Sequence, residues 1–347
     1  MLGFTERATE RYEELRAMHE ARAVLEPDRA DYQHDLSMVY RHVSAVYRAL
    51  GEEDKAHATG LKGLAIAEQL AAAEPGRADY QSNLAASYNN VGHLYRAVGR
   101  EEDKMAEVYF KGLAIAERLA GAEPGHSGYQ YDLSVSYDNV GNAYLAMRLK
   151  REASEAYLKA LAIRERLAAA EPHRADYQRA LSGSYDKVGK VYGWLGQWKK
   201  AQHAHFNALR IAKRLAAAEP DRTDYQRALS VAHERLGDLH DGKGDRAREA
   251  YLKGLAIAEQ LAEAEPERAD YQVDVALSLA RIAIWLGGDE RWRQLERAVS
   301  ILKGLADQGR LAAVHKPMIG ALEWLLEVNL RRRGIDTSEE KGGDVFR

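Results

Sequence analysis

Cysteine is absent from this 347-residue chain, which excludes disulfides and thiolate metal sites outright. Long apolar runs are missing too. No stretch approaches the roughly 18 uninterrupted apolar residues of a membrane span, and the opening segment MLGFTERATERYEE lacks the apolar core of a secretory signal. A cytoplasmic protein with no membrane partner is the expectation. A basic surplus is wanting as well: the formal charge is −3, against the excess of cations that a nucleic-acid binder normally carries, so no nucleic-acid partner is expected. Phenylalanine numbers only 4, and isoleucine and threonine are sparse. Ala, Leu, Arg and Glu dominate, a bias toward helix rather than strand. Proline is rare, with 7 copies, and its placement is the first positive feature.

Pro27, Pro75, Pro124, Pro172, Pro220 and Pro266 stand 48, 49, 48, 48 and 46 residues apart, and only Pro317 lies outside the series. Each follows a glutamate, most often as Ala-Glu-Pro. Four residues after each comes Asp-Tyr-Gln, beginning at Asp31, Asp79, Asp176, Asp224 and Asp270, with Gly128-Tyr129-Gln130 the one variant. The chain is longer than a single core usually supports, and a fixed period of this kind marks a stacked repeat array.

Each unit divides into two helical patterns. The first runs from the Asp-Tyr-Gln segment to a glycine, as in Asp176 to Gly196. The aspartate is expected as N-cap, and the proline before it as the stop of the previous helix. Apolar residues then recur at three- and four-residue steps: Tyr177, Leu181, Tyr185, Val188, Tyr192 and Leu195. The second pattern, Lys199 to Glu219, carries Ala201, Phe206, Leu209, Ala212 and Leu215. The pair reads as an antiparallel hairpin whose apolar faces are buried only by stacking on neighbours.

At these residues the sequence resembles the tetratricopeptide-repeat family, whose first helix carries W-x2-L-G-x2-Y. This chain has Tyr88-x2-Val91-Gly92-x2-Tyr95, Tyr137-x2-Val140-Gly141-x2-Tyr144 and Tyr185-x2-Val188-Gly189-x2-Tyr192. The fifth unit departs to His233-x2-Leu236-Gly237-x2-His240 and the first to Tyr40-x2-Val43-Ser44-x2-Tyr47. Small slots of the second helix recur at Ala56, Ala153, Ala201 and Ala247, then at Gly63, Gly112, Ala160, Ala208 and Gly254; the second unit breaks the earlier slot with Met105. A glycine inside a helix costs about 1 kcal/mol against alanine, and close approach of two backbones is the expected offset. The period exceeds the family's usual length, as in its kinesin-light-chain-like branch. The resemblance implies an all-α fold, a right-handed α-solenoid of antiparallel helix hairpins, and no enzymatic activity.

The array is expected to fill residues 1–333. A half repeat at 5–27 precedes repeats at 28–75, 76–124, 125–172, 173–220 and 221–266. A degenerate repeat at 267–307 and a capping helix at 308–333 follow, then a disordered polar tail at 334–347. Trp285, Trp292 and Trp324 crowd the C-terminal end and, with Trp194 and Trp198 at a turn, read mainly as core and cap residues.

No catalytic constellation emerges. His203 and His205 lie about 200° apart on a helix and cannot hold one ion together. His205, His233 and His240 occupy slots that hold aromatics elsewhere, and His233-Glu234 lacks the second histidine of a zinc helix. No phosphate loop is present, and neither cofactor nor metal is expected.

The resemblance instead implies a groove lined by the first helices, where an extended peptide or partner-protein segment would lie. Its candidate residues are Arg41, His42 and Arg48; Asn89, Asn90, His93 and Arg96; Asp138, Asn139 and Asn142; Asp186, Lys187 and Lys190; Glu234, Arg235, Asp238 and Asp241. Asn90 and Asn139 stand immediately before Val-Gly, where an amide can offer a donor and an acceptor to a peptide backbone. Formal charge runs from positive at Arg41, Arg48 and Arg96 to negative at Glu234, Asp238 and Asp241, an arrangement that would orient a ligand of opposite polarity. Two alternatives accompany this reading. One is a regulatory or sensor subunit controlling a separate protease, kinase or ATPase, as in similar arrays of bacterial signalling proteins. The other is a scaffold that self-assembles through its C-terminal cap.

Overall fold

The computed structural model describes residues 4–99, 101–239 and 245–332, and among them every regular element is helical. Helix α1 (Phe4–Leu25) precedes six hairpins: α2 (Ala30–Leu50) with α3 (Glu53–Ala73), α4 (Ala78–Val98) with α5 (Glu102–Ala122), α6 (Ser127–Ala146) with α7 (Lys150–Ala170), α8 (Ala175–Trp194) with α9 (Trp198–Ala218), α10 (Thr223–Leu239) with α11 (Asp245–Ala264), and α12 (Ala269–Ala283) with α13 (Gly288–Asp307). A 3-10 turn at Ala313–His315 leads into α14 (Lys316–Arg332). Each helix packs on its neighbours in sequence. The result is an all-α solenoid. The tail at 334–347, His240 and Asp241 lie outside the described residues.

The Asp-Tyr-Gln segment works differently from the expectation. Its aspartate is not the N-cap: Arg29, Arg77, Arg174 and Arg268 hold that position without any side-chain cap bond. The aspartates sit inside the first turn, where the helix dipole favours a carboxylate. Each takes the arginine two residues earlier, at 2.7 Å for Asp31, 3.1 Å for Asp79 and 2.8 Å for Asp176 and Asp270. That guanidinium lies over the next tyrosine ring, 3.8 Å from the centroid for Arg174 over Tyr177, and Tyr80, Tyr177 and Tyr225 are fully buried. The glutamine reaches backward. Gln81, Gln130 and Gln178 donate from Nε2 to the carbonyls of Ala71, Ala120 and Ala168 at 3.1, 3.1 and 3.3 Å. These carbonyls belong to the last turn of the preceding helix, which has no intrahelical partner for them.

Two sets of glycines bring the paired helices together. A Cβ at Gly63 or Gly254 would stand 3.1 or 3.0 Å from the backbone oxygen of Ser37 or Ser230. The hydroxyls of those serines donate to the carbonyls of the same glycines at 2.8 and 2.7 Å. On the first helices, Gly92, Gly141, Gly189 and Gly237 lie directly beneath the rings of Tyr109, Tyr157, His205 and Tyr251. Any Cβ there would enter the ring.

Successive hairpins are pegged by tyrosine hydroxyls. Tyr40, Tyr88, Tyr137 and Tyr185 donate to Glu20, Glu68, Glu117 and Glu165 of the preceding helix at 2.8, 2.8, 2.7 and 2.7 Å. At the C-terminal end α12, α13 and α14 enclose Leu279, Leu302 and Leu322. The tryptophans depart from expectation here: Trp194, Trp198 and Trp324 are 49%, 64% and 62% exposed, and only Trp285 and Trp292 pack against the core. Trp194 and Trp198 flank the turn at Leu195, Gly196 and Gln197.

The array curls until its ends meet. Helix α2 touches α12, and α4 touches the turn at Ala313–His315. Gly51, in the left-handed conformation at φ 79°, sits so close to the Arg310 backbone that a Cβ would collide with it.

Candidate protein-binding channel

First helices of successive hairpins contact one another on the inside of this curl, α2 with α4, α4 with α6 and α8 with α10. Their inward residues therefore face a lumen. Between α2, α4 and α6 lies a recess of about 290 Å³, lined by Arg41, His42, Asn89, His93, Asp132 and Ser136 among others. Where the ends meet, a second space of about 240 Å³ lies among Arg48, Arg227, Asp270, Asp274, Arg310 and His315.

The groove candidates divide by what they touch. Asn90 and Asn139 do not stand free on the wall: they are 8% and 3% exposed. The Asn90 amide donates to Ser44 Oγ at 3.2 Å, filling the hollow left where the first unit has Gly60 in place of a ring. Asn89 is also buried, donating to Ser136 Oγ at 3.2 Å. Three other candidates meet the rings that cross the glycines. Tyr109 bonds His93 Nδ1 at 2.9 Å, Tyr157 donates to Asn142 at 2.8 Å, and Tyr251 donates to Asp238 at 2.7 Å.

The charged candidates of the later units form a ladder. Each carboxylate on one first helix receives a cation from the next: Asp138 from Lys187 at 2.8 Å, Asp186 from Arg235 at 3.1 Å, and Glu234 from Arg281. Lys190 joins Asp186 at 2.7 Å, and buried Arg164 joins Asp138 at 2.5 Å. Burial pushes the Asp138 and Asp186 carboxyls up, but Lys187 and Arg164, and Lys190 and Arg235, more than offset it and hold both below their ordinary value. At Glu234 burial wins and its pKa rises. The expected negative end is thus largely neutralised within the wall.

The earlier units have no such rungs. Arg41, Arg48 and Arg96 make no ion pair among the described residues, and Nε of both Arg41 and Arg48 is buried without a hydrogen-bond partner. His42 and Arg96 are exposed to the lumen. Burial, and then Arg48, Arg96 and Lys187, drive the His93 pKa well below its ordinary value. Among the described residues no group of three or more His, Asp or Glu is placed to hold a metal ion, and no helix is long and apolar enough to cross a membrane.

A family model described as tetratricopeptide repeat matches residues 133–173, within α6 and α7. That stretch matches a tetratricopeptide repeat, and the whole chain shares the helical-solenoid fold of such arrays. Its fold is similar to that of BtubC (BKLC) from P. vanneervenii, with 20% identity, a TM-score of 0.50, and 76% of this chain and 92% of that one covered. The apo form of RapI is similar at 13% identity, TM-score 0.52, covering 77% and 84%. A Rap protein complexed with Competence and Sporulation Factor is similar at 16% identity, TM-score 0.50, covering 87% and 74%. No curated protein matches the sequence.

In this array several lumen residues escape a sequence reading. Asp132, Ser136, Arg227, Asp270, Asp274, Arg281 and His315 all face the inner spaces or complete the ladder. A usable signal does exist for the ladder: Asp138 and Lys187, Asp186 and Arg235, and Glu234 and Arg281 are opposite charges one repeat apart.

Proposed function

We propose that this array is a protein-interaction scaffold that takes an extended segment of another polypeptide along its inner wall. The reading is supported above all by the lumen, where polar side chains of consecutive first helices converge on a space bounded by the curled array. An extended chain carries its own unpaired backbone donors and acceptors, and the imidazoles and guanidinium groups that reach these spaces can meet some of them. Micromolar affinity, about −8 kcal/mol, is the scale for a segment that must be ordered on binding. The Rap protein of similar fold is complexed with Competence and Sporulation Factor, a precedent for ligand capture by such an array.

Site-specific photo-crosslinking tests this. A photoreactive residue at His42 or Arg96, both exposed inside the curl, should join partner polypeptide, while one at Arg151, on the outer helix α7 with 88% of its side chain exposed, should not. Adducts formed only from Arg151 would sink the reading.

A second reading, self-association through the C-terminal cap, is favoured by one observation. Ile284 and Leu325, 66% and 41% exposed, border an apolar groove of about 490 Å³. Light scattering across a concentration series decides it: a mass that stays at one chain discards the reading.

A further inference from the structure

The inner wall is electrostatically lopsided. Its later cations are all engaged: Lys187, Lys190, Arg235 and Arg281 in the ladder, and Arg227 with Asp270 and Asp274 at 2.6 and 2.5 Å. Arg41, Arg48 and Arg96 are not. The carboxylate set against Arg41 is Asp132, which stays beyond ion-pair distance and accepts from Ser82 at 3.3 Å. Against Arg48 stands Asp270, already held by Arg227 and Arg268, with Glu53 and Asp274 lining the same space. Arg48 and Arg96 repel each other, and among the described residues Arg96 faces the Tyr109 hydroxyl and makes no ion pair. Desolvated cations such as Arg41 and Arg48, whose carboxylates are distant or already shared, cost a fold stability, so a bound anion is what would relieve them.

We propose that Arg41, Arg48 and Arg96 form an anion-binding tract at the α2–α4 end of the channel, and that it takes an acidic polypeptide segment, Asp/Glu-rich or phosphorylated. This rests on the channel reading above and narrows its ligand. The spread of the charges favours a chain over a small free anion. Arg41 and Arg48 lie about 10 Å apart along α2 at 1.5 Å rise per residue, a distance that several residues of an extended segment cover at about 3.3 Å each. Arg41, His42 and His93 line the recess between α2, α4 and α6, and Arg48 lines the space where the ends meet.

Fluorescence anisotropy on the full chain tests the proposal, with a labelled Glu-rich peptide, its Gln counterpart, its phosphoserine counterpart and inorganic phosphate as probes. The Glu or the phosphoserine peptide should bind at least about ten-fold more tightly than the Gln peptide, and added salt should weaken it. Arg41→Ala/Arg48→Ala/Arg96→Ala should lose that preference, while Arg151→Ala/Arg210→Ala on the outer helices should keep it. The triple variant should also melt at or above the temperature of the parent, because it removes repulsion. Equal binding of Glu and Gln peptides, unchanged binding by the triple variant, or a lower melting temperature with binding lost would each overturn the proposal. Binding of inorganic phosphate with no acidic peptide bound would overturn the polypeptide class. Crosslinks from His42 to a partner that persist alongside any of these leave the channel reading standing and remove only this one.

Discussion

At the scale of single residues, the clearest case is a pair exchanged together. Four hairpins are pegged by a tyrosine hydroxyl and a glutamate twenty positions earlier. In the fifth unit both partners change, to His233 and Lys213, and the lysine lies close enough to help depress the histidine. The chemistry is consistent, since a cation cannot accept the hydroxyl proton that a carboxylate accepts. His233→Tyr together with Lys213→Glu should therefore restore the peg. A double-mutant cycle by chemical denaturation is expected to give a favourable coupling of about 1 kcal/mol, and additive single effects would refute it. The same histidine carries a pH prediction. Burial first, and Lys213 and Lys253 after it, lower its pKa from 6.5 to about 4. The folded state thus refuses a proton that the unfolded chain accepts below pH 6.5, so stability declines as pH falls from that value toward 4. His42, His93 and His205 are shifted the same way. Thermal melts should show a drop between neutral pH and the low end of that window, and His233→Phe should flatten it.

At the scale of the helix and the hairpin, the two sets of glycines do most of the positioning. Gly92 lies beneath the Tyr109 ring, whereas a methyl group added at Gly76 would meet nothing within 4 Å. Gly92→Ala should destabilise by about 1–3 kcal/mol through overpacking, whereas Gly76→Ala should be neutral or slightly stabilising through the unfolded state. Melting both variants checks the contrast, and equal losses would contradict it. This level was largely readable from sequence. Period, proline stops and glycine slots all follow local rules, so the all-α repeat emerges, and the two patterns at Asp176–Gly196 and Lys199–Glu219 fall on α8 and α9. The caps did not. Asp31 and its equivalents look like N-caps because aspartate often is one, yet an arginine two residues earlier competes for the carboxylate. The backward reach of Gln81 or Gln178 crosses from one helix to the previous one, and no periodicity announces it. Asn90 and Asn139 mark a related limit: Asn90 lines the recess and yet both are nearly buried, since a position beside a glycine is shared by inward-packed and groove-facing side chains alike.

At the scale of the whole molecule, contacts join residues that no local pattern relates. The ladder needs the offset between neighbouring hairpins, and the seam needs the accumulated curvature of six of them. Two left-handed glycines separate these effects. Gly51 has φ 79° and lies against Arg310, while Gly196 has φ 70° and open space around it. Alanine at either position meets similar backbone strain, but only Gly51→Ala also forces the ends apart. Small-angle X-ray scattering should show a larger radius of gyration for Gly51→Ala and an unchanged one for Gly196→Ala; matching profiles would mean the ends are not in register in solution. The meeting of α2 with α12 has a topological corollary. A loop with its ends touching can receive a rope only by its tip or by unclasping, so a guest flanked by two bulky folded domains would have to wait for the clasp to spring. Residence time would then depend on the shape of what hangs from either end of the guest as well as on the grip of the wall.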